Sequence, residues 1–266
     1  MARQTLPADE ARHTQSIPDR STTWRVGRRG SDVALIGGMT TLAVAILAAA
    51  MQTSPTPNGF SVAAETRSFT FYTRDAAKVD ADKNQRFLDD TSRRLGVTIE
   101  GKKAYYRYEW SEELAFVVGE TAASASGAYM ASGDIHSTKD FDAHEIVHRV
   151  AFRLGNPGAF FQEGLAVELG DNGRYGKAKV DEISRRLAGQ VKFRTLVDRF
   201  SSLAPEVRYP LAGSFVRFLI ARHGIGVVSG FFRACGDERA RDAQFAKLMG
   251  RSLDDAGREW LAAVAR

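Results

Sequence analysis

His144-Glu145-Ile146-Val147-His148 sets two imidazoles four residues apart with a carboxylate beside the first. On a helix, side chains at i and i+4 stand one turn apart on the same face. Two imidazoles so placed can reach one Zn²⁺ at about 2.0–2.1 Å. The adjacent glutamate then falls where a metal-activated water needs a general base. The spacing predicts a zinc centre with His144 and His148 as ligands and Glu145 as base. A chance occurrence of the pattern is the competing reading, and a third donor at a suitable distance weighs against it.

That donor is expected at Glu163, fifteen residues past His148, within Phe160-Phe161-Gln162-Glu163-Gly164-Leu165-Ala166-Val167-Glu168. Catalytic zinc sites use three protein ligands and keep one position open. The interval accommodates one helix end, a short loop over 154–158 and the first turn of a second helix. Phe160, Phe161, Leu165 and Val167 are the expected anchors of this second helix. Gly164 and Ala166 are expected to let it pack closely on the first. Taken alone, Glu163 reads as an ordinary exposed glutamate; beside the histidine pair it reads as a ligand. Glu168 is the candidate for a carboxylate that orients a ligand from outside the coordination sphere, with Asp142 second. His223 reads as the cationic end of a helix C-terminus.

HEIVH followed by FFQEGLAVE resembles the gluzincin metallopeptidases, and within them the small peptidase MA-like bacterial proteins. The resemblance implies His144, His148 and Glu163 as ligands of one Zn²⁺ per chain, with Glu145 as base. Gln162 stands where the aminopeptidase branch commonly has Asn. Tyr209, in Tyr209-Pro210-Leu211-Ala212-Gly213-Ser214-Phe215-Val216, matches a tyrosine at the start of a helix that hydrogen-bonds the oxyanion. A phenol suits that role, although such a tyrosine also reads as a cap packed on the core. Ser126–Met130 matches an edge strand that binds substrate backbone by strand addition, so Gly127, Ala128 and Tyr129 are the implied substrate-binding residues. Met130 replaces the glutamate that holds a free N-terminus in aminopeptidases of the group, which argues against that specificity. The resemblance runs over residues 65–266 in order of elements, and only 144–168 carries specific motifs. The implied activity is that of a zinc metallopeptidase acting on a peptide or protein. A membrane-tethered zinc-binding module without turnover and a non-peptidase zinc hydrolase are the alternatives, because fold does not fix substrate.

Positioning such a centre requires a helix through the histidine pair. Ser137 or Thr138 is expected to cap it, Asp140 and Asp142 to lie in its first turn, and Gly155 with Pro157 to end it. Val147, Val150, Ala151 and Leu154 form its apolar stripe. Upstream, 66–73 alternates as a strand, 76–95 reads as a helix stopped by Gly96, 102–110 as a tyrosine-rich strand and 111–118 as a short helix. Extended chain is expected over 127–135. Helices are expected at 159–169, 179–188, 193–199, 211–223, 225–234, 239–248 and 252–264. Strands first and helices after make an α+β protein. A small N-terminal sheet would pack on the zinc-binding helix, followed by a mainly helical C-terminal subdomain, the gluzincin or zincin-like arrangement.

The first 32 residues are polar and carry six arginines. Residues 33–51 carry no charge, and nineteen residues at helical rise reach about 28 Å, the span of a bilayer core. Arg25, Arg28 and Arg29 before this run predict a cytoplasmic N-terminus. The run is either a signal-peptide h-region, with Ala48-Ala49-Ala50 as cleavage site, or an uncleaved signal anchor that makes the membrane a partner. Residues 52–64 read as a linker and 65–266 as the peptidase domain, expected outside the cytoplasm: secreted, periplasmic or membrane-anchored. One cysteine, Cys235, excludes an intramolecular disulfide framework. Beyond residue 50 the chain has 31 basic against 28 acidic residues. That balance does not demand a nucleic-acid partner, and with no basic stripe interleaved with aromatics none is expected.

Overall fold

The computed structural model describes residues 59–74, 78–118 and 126–266, which belong to one unit, Thr53–Arg266. The expected polar segment 1–32 and apolar run 33–51 lie outside the described residues, as does the linker up to residue 58.

The described chain is α+β. Five short strands form one sheet in the order β1 (Ser61–Glu65), β2 (Phe69–Thr73), β3 (Lys103–Arg107), β5 (Ile135–Ser137) and β4 (Gly127–Tyr129). The inner strands β2, β3 and β5 run parallel, while the outer strands β1 and β4 are antiparallel to their neighbours. The parallel step from β2 to β3 needs a crossover, and α1 (Ala81–Leu95) supplies it. Asp80 caps α1 by accepting from the Lys83 amide, and Gly96 ends it in the left-handed conformation, so the helix starts five residues later than its pattern suggested. Phe69 and Phe71, alternate residues of β2, face inward with Tyr105 of β3. The Phe71 ring lies 5.3 Å from both of the others. Residues 61–64, expected as linker, belong to β1. Four of the five β1 residues are exposed, so no alternation marks the strand and its ladder with β2 defines it.

After α2 (Ser111–Val118) and the β4–β5 pair, α3 (Ala143–Leu154) carries the histidine motif. Ile146, Val147, Val150 and Ala151 are fully buried. Arg149 is also buried. It donates to the carbonyls of Ser68 (2.9 Å) and Gly101 (3.0 Å), and its guanidinium lies 4.5 Å over the Phe69 ring. This cation therefore ties α3 to the sheet. Ser137 and Thr138 do not cap α3. Ser137 ends β5 and its hydroxyl donates to Asp142, and the helix begins at Ala143, so Asp140 and Asp142 precede its first turn.

The rest is helical: α4 (Ala159–Leu169), α5 (Val180–Leu187), α6 (Phe193–Asp198), α7 (Pro205–His223), α8 (Ile225–Ala234), α9 (Arg241–Met249) and α10 (Leu253–Val264), with a hairpin of β6 (Arg174–Tyr175) and β7 (Ala178–Lys179) after α4. The two-residue strands are too short to show a period. α7 begins six residues before its expected start. Pro205 sits at its N-terminus, where a proline needs no intrahelical N–H partner, and the helix continues through Pro210. Gly164 does not serve the α3 contact. A methyl group there would meet Ala212 and Val216 of α7. The close approach to α3 falls to Gly170, where a methyl would lie 2.7 Å from the His144 Cα. Phe160, Phe161, Leu165 and Val167 are buried as anchors. Cys235 is buried at the C-cap of α8. Among the described residues, no single helix is long and apolar enough to cross a membrane.

Candidate metal centre

The i, i+4 spacing on α3 puts the rings of His144 and His148 4.9 Å apart. The first turns of α4 bring Glu163 against them. One Glu163 oxygen lies 3.1 Å from His144 Nε2 and 3.2 Å from His148 Nε2. All three donors fall within 4.8 Å of one another. Ligands at about 2.0–2.1 Å in a tetrahedron stand about 3.4 Å apart, so the three side chains fit one metal ion. Burial works against an ionised Glu163, but His148 and His144 hold its carboxyl well below the usual range. Burial also works against a charged His144, and bonds to Asp171 and Glu163 outweigh it, raising that imidazole well above its ordinary value.

Asp171 was not anticipated. Its Oδ2 lies 2.8 Å from His144 Nδ1, so an Nδ1–H donated to it leaves Nε2 free as a ligand atom. Glu168, expected in this outer role, faces elsewhere. Five residues beyond Glu163 it is turned about 140° around the helix. It lies beside Gly173 and takes its main charge interactions from Arg217 and Asp181. Asp142 is engaged by the Ser137 hydroxyl (2.7 Å) and Lys139 (3.2 Å). The available sequence signal for Asp171 was the turn it opens: Asn172 (φ 54°) and Gly173 (φ 63°) are both left-handed and reverse the chain past the α4 terminus. Outer-sphere carboxylates tune ligand basicity, so Asp171→Asn is expected to weaken zinc binding about 10–100-fold. Competition against a chromophoric chelator measures this, with circular dichroism as the check on folding.

Glu145 is 7 % exposed. Burial pushes its carboxyl up to about 7 against the pull of His148 and His144. Gly127, at the head of β4, lies directly over it. A methyl at Gly127 would sit 2.5 Å from Asp142 Oδ2 and 2.9 Å from Glu145 Oε1. Glycine is what lets this strand approach the carboxylate. Among the described residues β4 is a sheet edge, paired with β5 alone through Gly127↔Ser137, Ala128↔His136 and Tyr129↔Ile135. Tyr129 stacks on Phe152 of α3 at 5.4 Å.

Tyr209 lies in the second turn of α7 rather than at its start. Its ring is 6.2 Å from that of His144 and stacks on Tyr175 of β6 at the same distance. Burial, with Glu163 close by, pushes the phenol up to about 12, so it remains a donor at neutral pH. Gly127, His144, Glu145, Asp171, Tyr175 and Tyr209 line one cleft of about 640 Å³. His223 ends α7, with Arg251, Arg222 and Glu259 as its charged neighbours.

The structure thus brings together His144, Glu145, His148, Glu163, Gly127 and Tyr209, and the carboxylate bonded to His144 is Asp171 rather than Glu168. No protein-family model matches the chain, and no curated protein matches it.

Proposed function

We propose that this chain is a zinc-dependent peptidase of the gluzincin, zincin-like type, with His144, His148 and Glu163 as ligands. The observation that carries the reading is the convergence of two imidazoles and a carboxylate beside a buried glutamate, with His144 and Glu145 lining one cleft. Zinc held there would supply a Lewis acid for a carbonyl and a more acidic water. Glu145 takes the proton of the attacking water and returns it to the departing amine. Its burial supports this, since a carboxyl whose proton affinity is raised toward neutrality both accepts and donates. Tyr209 donates its phenolic O–H to the oxygen on which negative charge develops. The Gly127–Tyr129 edge pairs with an extended peptide. Peptides, rather than other substrates, are favoured by the HEIVH and EGLA resemblance and by this edge. The uncharged run 33–51 after Arg25, Arg28 and Arg29 supports action outside the cytoplasm, with a cleaved signal or a retained membrane anchor.

The test is metal analysis of the purified full chain together with turnover of a degenerate fluorogenic peptide library, before and after chelation and on zinc addition. The expected result is one zinc per chain and cleavage that chelation abolishes and zinc restores. One zinc without cleavage would instead favour a zinc-binding module or a non-peptidase hydrolase. A folded, zinc-free protein that takes up no zinc would overturn the ligand set.

A further inference from the structure

The cleft carries a charge pattern that neither hydrolysis nor metal binding uses. Its lining includes three cationic side chains, Lys139, Arg174 and Arg208. Lys139 is spoken for by Asp142 at 3.2 Å. Arg174 and Arg208 are different. Among the described residues neither forms an ion pair: Arg174 donates to the carbonyl of Lys177 (2.7 Å), and Arg208 donates to those of Ser201 (2.8 Å) and Leu203 (3.3 Å) and bonds the uncharged phenol of Tyr209. Those carbonyls fix one nitrogen of each guanidinium and neutralise nothing. Arg208 is further held by aromatic faces, its guanidinium carbon lying 5.4 Å from the Phe200 ring centre and 5.2 Å from that of Tyr209. Its Nε is buried without a hydrogen-bond partner. Glu206, whose charge acts on Tyr175, pairs with neither arginine.

The acids in the cleft are already committed. Asp171 is bonded to His144, and Glu145 lies buried beside Gly127. The wall formed by β6 and α7 therefore presents two arginines without a counter-charge. One of them is immobilised beside Tyr209, whose ring touches His144. A guanidinium presents a planar fork matched to a carboxylate, and holding it in advance reduces the ordering cost of binding. We infer that Arg208, with Arg174, forms a carboxylate-recognition subsite on the α7 wall, selecting peptides that present an acidic side chain or a free C-terminal carboxylate near the cleaved bond. This deepens the peptidase reading and rests on peptides being the occupants of the cleft.

Binding and turnover are measured separately so that the two ideas fail separately. Zinc-loaded full-length Glu145→Gln protein is titrated, by fluorescence anisotropy, with three labelled peptides of one sequence: glutamate-containing with an amidated C-terminus, its glutamine counterpart with the same amide, and the glutamine counterpart with a free carboxylate. The subsite predicts that one or both carboxylate peptides bind at least tenfold tighter than the neutral peptide, and the arm that gains identifies the source of the carboxylate. The advantage should shrink with added salt and largely vanish in Arg208→Met, with Arg174→Met reducing it further. Equal binding of all three peptides overturns the subsite without reference to any variant. A carboxylate preference unchanged in folded Arg208→Met and Arg174→Met also overturns the assignment. Carboxylate-selective binding with no cleavage of any peptide by the parent enzyme retains the subsite and removes the peptidase reading. Where the parent does cleave, the preference should reside in KM, because the arginines hold substrate rather than the reacting atoms.

Discussion

Glu145→Gln is expected to lower peptide turnover by about a thousandfold, within the 10²–10⁴-fold range of a positioned general base, while one zinc per chain stays bound. Glutamine keeps the shape of the side chain and loses only the proton-accepting oxygen. The proposed ligand atoms belong to His144, His148 and Glu163, so the metal should be retained. The fold should tolerate the change. Burial raises the Glu145 carboxyl above its ordinary value, so ionising it in the folded protein costs stability as pH rises past the unfolded value of about 4.3. A neutral amide removes that cost, and the melting temperature of the zinc-free variant at neutral pH should equal or exceed that of the parent. Glu163→Ala is the contrasting case. Turnover falls because zinc is lost, and elemental analysis after desalting should find far less than one ion per chain. Equal loss of zinc in the two variants would remove Glu145 from the role of base.

The second large effect concerns Gly164, the residue after the proposed third ligand. Gly164→Ala is expected to lower stability by about 3 kcal/mol, at the upper end of ordinary overpacking. For a domain of this size that is about 6–12 °C in melting temperature. The added methyl would lie 2.6 Å from the Ala212 carbonyl oxygen and 2.6 Å from Val216 Cγ2. A helix backbone cannot yield as a side-chain tip can, so α4 and α7 must separate. Glu163 rides on α4 and Tyr209 on α7, and both are therefore displaced: zinc affinity should fall along with stability. Gly230→Ala is the internal control. Gly230 lies within α8 with nothing within 4 Å of an added methyl, and helix propensity favours alanine there by up to about 1 kcal/mol. Differential scanning fluorimetry on both variants checks the contrast. A Gly164→Ala protein as stable as the parent would remove close helix contact as the reason for glycine at this position.

The glycine also shows how the reading of the chain and the fold diverge. An E-G-x-A stretch signals that a helix must pass close to something, and the sequence order suggested α3 as that neighbour. The neighbour is α7, which follows α5 and α6 in chain order, because the α4–α7 crossing leaves no room for a side chain at 164 while Gly170 serves the approach to α3. Close packing is a property of surfaces in three dimensions, and adjacency in sequence selects the wrong surface as readily as the right one.

His144, Glu145 and His148 were legible because helical geometry is local: a spacing of four fixes which side chains share a face, whatever the rest of the protein does. Glu163 was legible because a short loop of 154–158 leaves few places for the following helix to go. The α+β order of elements followed from a strand alternating at 66–73 and helices filling the chain from 159 onward. The edge strand β1 and the β6–β7 hairpin were not legible, being too exposed or too short to carry a period. Which carboxylate supports His144 was decided only by the fold. Glu168 had the expected spacing and the wrong face, while Asp171 reaches Nδ1 because two left-handed residues, Asn172 and Gly173, turn the chain back across α3. The start of α7 at Pro205 likewise placed Tyr209 and Arg208 one turn inside a helix and on one wall of the cleft. The types of candidate ligand, and the chemistry proposed for them, are written in local spacing; the outer carboxylate, the arginine wall and the glycine contacts depend on chain reversals and helix crossings that no local pattern encodes.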